Sequence, residues 1–274
     1  MLRAALVSFA LLLAGGCAQV PQPTYSAETD ARVDAALAGA HRAAANRARD
    51  VHRHPRETLR FFGLRADMQV VEVWPGSGWY TEVLAPVLRG TGRYYAAQYA
   101  RGHRDTLPYR LKTLEGFERK LRERPEVYGE VVITELSAPE YTAIAPPGSV
   151  DLVLTFRNVH NWAKSGNAEA MFAAFYTALK PGGVLGVVEH RARPGSSLEA
   201  MIVSGYMTED WVIAAAQQAG FRLAARAEIN ANPRDGTQHP KGVWSLPPGY
   251  AAGEREKYAA IGESDRMTLR FVKP

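Results

Sequence analysis

Asn158 and His160 follow directly on the apolar run Val150 to Phe156, and their types suit chemistry. An imidazole takes up a proton near neutral pH, so His160 is a candidate base. Asn158 can orient a bound molecule through its amide. Standing two apart, the pair shares a side if the strand conformation continues past Phe156. The plainer alternative is that His160 satisfies loop backbone. A second cluster is Glu72-Val73-Trp74-Pro75-Gly76-Ser77-Gly78, in which an acidic residue near the end of an apolar run precedes a Gly-x-Gly turn. Glycines there let backbone approach a ligand, and the helix that follows offers free N–H groups. A third is Asn230 to Pro248, which sets Arg234, His239 and Trp244 among four prolines. Such a segment suits a substrate lid; the other reading is an ordered surface loop. Glu189 and His190 close a further apolar run and can reach the same edge. A single cysteine, Cys17, excludes an internal disulfide and a cysteine-based zinc site, and no metal constellation stands out.

The elements that must position these residues alternate along the chain. Strands are expected at Gln69 to Trp74, Arg93 to Gln98, Glu130 to Leu136, Val150 to Phe156, Val184 to Glu189, Phe221 to Ile229 and Met267 to Val272. Helices are expected at Trp79 to Leu88, Leu107 to Arg122, Ala168 to Leu179 and Glu209 to Ala219, with Pro55 opening an earlier one that Gly63 ends. Near-continuous apolar strands alternating with helices argue for a doubly wound parallel sheet covered on both faces. Asn230 to Glu263 reads as a long irregular excursion, and the final strand after it reads as antiparallel to its neighbour. With 274 residues, 46% hydrophobic and 22% charged, the chain is neither disordered, collagen-like nor a disulfide scaffold.

The segment Val70 to Thr81 resembles motif I of the class I S-adenosylmethionine (SAM)-dependent methyltransferases. Val150 to Trp162, with Asp151, Arg157, Asn158 and His160, resembles that family's fourth strand and the loop after it. Leu179-Lys180-Pro181-Gly182-Gly183 resembles its turn into the fifth strand. The strings EVWPGSGWYTE and FRNVHNW are similar to a group of bacterial exported methyltransferases. The resemblance spans about residues 47–274. It implies an α/β, Rossmann-like doubly wound sheet of about seven strands, mostly parallel with an antiparallel last strand, and helices on both faces. It implies SAM as cofactor, with Glu72, Gly76 and Gly78 at its methionine end and sugar. Trp74, Tyr80 and Asn158 join the cofactor set, and Gln98 stands where an acidic residue for the ribose is usual. Trp74 occupies the place of the first motif glycine, where it walls the pocket, stacks on the sulfonium or blocks the site. Methyl transfer by direct displacement needs alignment and water exclusion, with a base only for a nucleophile that must lose a proton. His160 is then the base and Asn158 the orienting group. Trp162 either lines the entrance or packs, and Arg234, His239 and Trp244 belong to the lid.

Residues 1–16 read as a signal peptide, a short basic start and an apolar run of about 11 residues that is too short for a spanning helix of about 20. Gly15-Gly16-Cys17 resembles a lipoprotein cleavage site with Cys17 as the lipidated residue; an ordinary signal or an uncleaved anchor are the alternatives. Residues 18–28 read as a linker, 29–65 as a helical segment and 66–274 as the methyltransferase-like domain. The expected setting is the periplasmic side of a membrane, or the soluble periplasm. Between Arg42 and Arg65 seven arginines face only Asp50 and Glu57, a local excess of +5 equal to the net charge of the chain. That stretch is either a solvated face or a surface for phospholipid head groups or an anionic substrate. Nucleic acid is not an expected partner, since no aromatic platform is interleaved with the arginines. The expected activity is transfer of a methyl group from SAM to a small-molecule or envelope acceptor. The alternative is a non-catalytic, methyltransferase-like ligand-binding lipoprotein.

Overall fold

The computed structural model describes residues 26–104 and 106–274. The expected signal peptide, Cys17 and most of the linker lie outside the described residues. Seven strands form one sheet: β1 (Gln69–Val73), β2 (Arg93–Gln98), β3 (Val132–Glu135), β4 (Val150–Phe156), β5 (Leu179–His190), β6 (Arg222–Ala227) and β7 (Arg266–Val272). Their order across the sheet is β3-β2-β1-β4-β5-β7-β6. All neighbours pair parallel except β7, which is antiparallel to both β5 and β6.

The strands form where β-branched and aliphatic residues run together, and β1, β2, β4 and β5 feed two cores. Val70, Leu152, Leu154 and Val188 point into one, while Val71, Val73, Val153 and Val187 point into the other. That is the two-residue period of a strand buried on both faces. The first core also takes Val33, Ala36, Leu59, Phe62 and Leu64, so the segment 29–65 packs on the same sheet as the rest. Its helices are locally encoded. Ser26 caps Ala27–Ala38 by accepting from the Thr29 N–H at 3.1 Å, Pro55 opens Pro55–Phe62, and Gly63 ends that helix at φ 78°.

Three expectations change. The chain after β4 does not continue as strand or loop: Arg157 turns at φ 61°, and Val159–Ser165 is a helix with Asn158 at its N-cap. Asn158 and His160 are therefore not on one side of an extended chain. The Lys180 to Gly183 turn is absorbed into β5 as a bulge, since Val150 pairs with Leu179 but Leu152 pairs with Val184. The segment 230–263 is not structureless: it contains a 3-10 turn, Gly242–Ser245, and a helix, Arg255–Ile261. Asn230 anchors it, its amide donating to Thr58 and Thr268 hydroxyls at 3.0 Å each. Among the described residues no helix is long and apolar enough to cross a membrane.

Candidate active site

Strand order reverses between β1 and β4, and in open α/β sheets ligands bind beyond the carboxyl ends of strands at such a point. A cleft of about 450 Å³ lies there, within the roughly 300–1,000 Å³ usual for small-molecule sites. Its floor is the turn Trp74-Pro75-Gly76-Ser77. Its walls come from Phe156 to Asn161, from His190, and from the 3-10 turn and prolines of the segment 230–263.

The turn is tight. Trp74, Gly76 and Gly78 all have positive φ, at 46°, 61° and 82°. A Cβ on Gly76 meets no atom within 4 Å, so glycine serves the backbone there and leaves the cleft floor bare. A Cβ on Gly78 comes within 3.0 Å of Phe117, so glycine there serves packing. Trp74 holds a conformation that disfavours side chains by about 1–2 kcal/mol. Its indole N–H donates to the Leu136 carbonyl at 2.8 Å, and its ring packs on Tyr99, with centroids 4.8 Å apart, and on Trp162. It lines the cleft and also a second cavity of about 300 Å³ that reaches Arg110 and Asn167. The indole is thus a wall between two spaces.

His160 is 8% exposed and lines the cleft. Its Nδ1 lies 3.0 Å from Glu189 Oε1. An ionised carboxylate only accepts, so Nδ1 carries the proton and Nε2 holds the lone pair, into which Asn161 donates its amide at 3.1 Å. Glu189 also accepts from the Val159 and His160 backbone N–H groups. The carboxylate thus fixes both the ring and the start of the helix. His190 lies beside it, ring centroids 5.4 Å apart, with Nδ1 2.6 Å from Ser264 Oγ. Burial, His160 and nearby arginines hold His190 well below the usual histidine pKa, so it is neutral. One ligand atom each from His160, Glu189 and His190 lie within 4.8 Å of one another, although both Nδ1 atoms already have partners.

Arginines form the opposite wall. Glu263 binds Arg49 Nε at 2.6 Å, Arg53 Nε at 3.2 Å and Arg266 Nη1 at 2.9 Å, with Arg157 Nη1 at 4.0 Å. Burial raises the Glu263 pKa, but the surrounding arginines outweigh it and hold the carboxyl well below the usual range. Arg53 lies over the Trp79 ring, 4.5 Å from its centroid. Part of the arginine-rich stretch 42–65 is therefore not a solvated face: Arg42 and Arg53 are buried, and Arg49 and Arg53 reach the cleft.

The other expected residues divide as follows. Trp244 stands over the cleft, 43% exposed and edge-on to His160. The Asn158 amide nitrogen is committed to the Val73 carbonyl at 2.9 Å and the Thr155 hydroxyl at 3.3 Å, so it ties β4 to β1. Glu72 does not line the cleft. Its side chain enters the first core, where Tyr94 and Thr81 donate to it and burial raises its pKa to about 7. Tyr80 is buried, stacked on Phe156 at 3.6 Å. Gln98 is buried, and its amide donates to the Gly76 carbonyl at 3.0 Å. Trp162 packs fully buried against Phe172 and Phe175 and lines no entrance. Arg234 and His239 do not line the cleft; His239 lies 2.7 Å from Asp235, which holds the segment down. Sequence reasoning missed roles for Arg49, Arg53, Asn161, Glu263 and Ser264. The arginine density was the one signal for the first two.

No family model matches the sequence, and no curated protein matches it. Solved structures do. A SAM-dependent methyltransferase from Aquifex aeolicus aligns at TM-score 0.55 and 16% identity, over 83% of this chain and 93% of that one. The 4+2 cyclase SpnF aligns at 0.57 and 16%, over 90% and 93%. A geranyl diphosphate methyltransferase in complex with SAM aligns at 0.53 and 14%, over 88% and 95%. The chain therefore has the Rossmann-like fold of the SAM-dependent methyltransferases.

Proposed function

We propose that the chain is a SAM-dependent methyltransferase that acts on a small-molecule or envelope acceptor. The observation that carries this reading is the bare Gly76 turn at the end of β1, facing a carboxylate-held histidine across one cleft. The residues fit the cofactor. The Pro75-Gly76-Ser77 backbone offers close approach, and Trp74 and Tyr99 offer aromatic surface. Gln98 does not line the cleft, but its Oε1 is a buried acceptor with no partner among the described residues, at the strand end where a ribose hydroxyl is expected. When bound, SAM supplies a methyl group on a positively charged sulfur, open to direct displacement. His160 Nε2 takes the proton of the acceptor's nucleophile, replacing the hydrogen bond from Asn161, and Glu189 stabilises the resulting imidazolium. Trp244 and the prolines beside it exclude water.

The export reading, with lipidation at Cys17 and a membrane-anchored or soluble periplasmic setting, rests on residues 1–17 alone. A second reading, a methyltransferase-like binding protein without transfer, is favoured by two observations. Glu72 is enclosed away from the cleft, and Trp74 stands where the motif has glycine. The same fold in a cyclase shows that fold alone does not fix chemistry. Calorimetric titration of SAM into the full chain separates the readings. Micromolar binding, abolished by Gly76→Leu in a protein that still melts cooperatively, is expected. A folded protein that ignores millimolar SAM supports the binding-protein reading.

A further inference from the structure

The arginine wall is over-charged for the one carboxylate it holds. Arg49, Arg53 and Arg157 line the cleft and Arg266 lies buried behind them, and all four are set against the single carboxylate of Glu263. Glu263 is the only acid among the residues lining the cleft. A carboxylate has two oxygens, and each guanidinium has five donors in a fixed fork, so one glutamate cannot satisfy four of them.

The surplus donors are identifiable. Arg53 is 3% exposed and lines the cleft, yet its buried Nη1 has no hydrogen-bond partner among the described residues. Packing against Trp79 fixes that guanidinium in place. Arg157 lines the cleft with its side chain 28% exposed, and its nearest acid is Glu263 at 4.0 Å, beyond hydrogen-bond distance. It is carried there by a left-handed backbone, φ 61°, a conformation that non-glycine residues hold at a cost and that clusters at ligand sites. Leaving a buried cation half-paired is expensive, and the complement of a guanidinium fork is a planar or tetrahedral oxyanion bound by two oxygens.

We propose that Arg49, Arg53 and Arg157 form an oxyanion subsite that holds a carboxylate or phosphate group of the methyl acceptor. The word acceptor rests on the methyl-transfer reading; the subsite does not. Held there, an anionic acceptor lies in the same cleft as His160, with Trp244 at the rim. The rival source of the same chemistry is the carboxylate of SAM itself.

Inorganic phosphate is the probe, titrated calorimetrically into the full chain at constant ionic strength, with and without saturating SAM. Saturable binding is expected, changed by less than about threefold when SAM is present. Arg157→Gln and, separately, Arg49→Gln should each weaken it about tenfold or more, the loss of one charge-assisted hydrogen bond. A melting curve shows that each variant is folded, and if one fails to fold the other carries the test. No saturation by about 10 mM phosphate overturns the subsite. Affinity unchanged in the folded variants overturns it too. Phosphate displaced by SAM assigns the arginines to the cofactor and overturns the acceptor subsite. Phosphate bound by a chain that never binds SAM keeps the subsite and removes the methyl-transfer reading.

Discussion

His160 owes its chemistry to one neighbour. Glu189 accepts the hydrogen bond from Nδ1–H, so the proton stays on Nδ1 and the lone pair is left on Nε2, where only the Asn161 amide competes for it. His160→Ala should therefore lower kcat by about 10²–10⁴-fold, the usual worth of a positioned base. SAM affinity by calorimetry should stay nearly unchanged, and unchanged turnover would remove the base role. Glu72 shows the opposite outcome for an acid. It stands in the motif, yet it is sealed between Tyr94 and Thr81 with a pKa near 7. An acid raised in the folded state stabilises the fold fully below its ordinary pKa of 4.5 and loses that contribution as pH climbs through about 7. Glu72→Gln escapes the loss, which is on the order of 3 kcal/mol across that window. Its melting temperature should gain on the parent between pH 5 and pH 8, and a constant gap would contradict the burial argument. Residue types in the sequence showed that an acid, two glycines and a histidine were worth watching. They could not show which way Glu72 points, because strand alternation assigns a face only once the sheet's neighbours are known.

At the scale of elements, the strands were legible because their apolar runs and glycine stops are local signals. Less legible was what happens after β4, where Arg157 reverses the chain and Glu189, from another strand, caps the helix that follows. That cap is a tertiary contact with no local signature. The segment 230–263 was hidden for the same reason: Asn230, Asn232 and Asp235 order it by reaching Thr268, Glu263 and Asp265. Glu263 is the joint between the N-terminal helices and β7, linking Arg49 and Arg53 to Arg266. Glu263→Gln leaves those guanidiniums facing one another, and removing one partner of a buried pair costs about 3–5 kcal/mol. Urea unfolding of that variant should show a loss of this size. A loss under about 1 kcal/mol would mean the arginines are already satisfied without it.

Across the whole molecule, the sheet carries two cores of comparable character, and the N-terminal helices close one of them while supplying a wall of the cleft. The seven-stranded order was legible because resemblance in three separated motifs supplied the topology. The cationic character of the cleft was not, since it comes from residues 49, 53 and 157, which converge only in three dimensions.

The last strand threads between β5 and β6, and Glu263 sits just before it. Every contact that Glu263 makes with Arg49 and Arg53 spans more than two hundred residues, 214 and 210 respectively. During synthesis, a ribosome that has released the first two hundred residues has delivered Arg49, Arg53, Arg157, β1, β4 and His160, but neither Glu263 nor the strand that seals β5. Until then the nascent chain carries unbalanced positive charge beside an open sheet edge. Closure of the cleft thus waits on contacts that span more than two hundred residues, which form late.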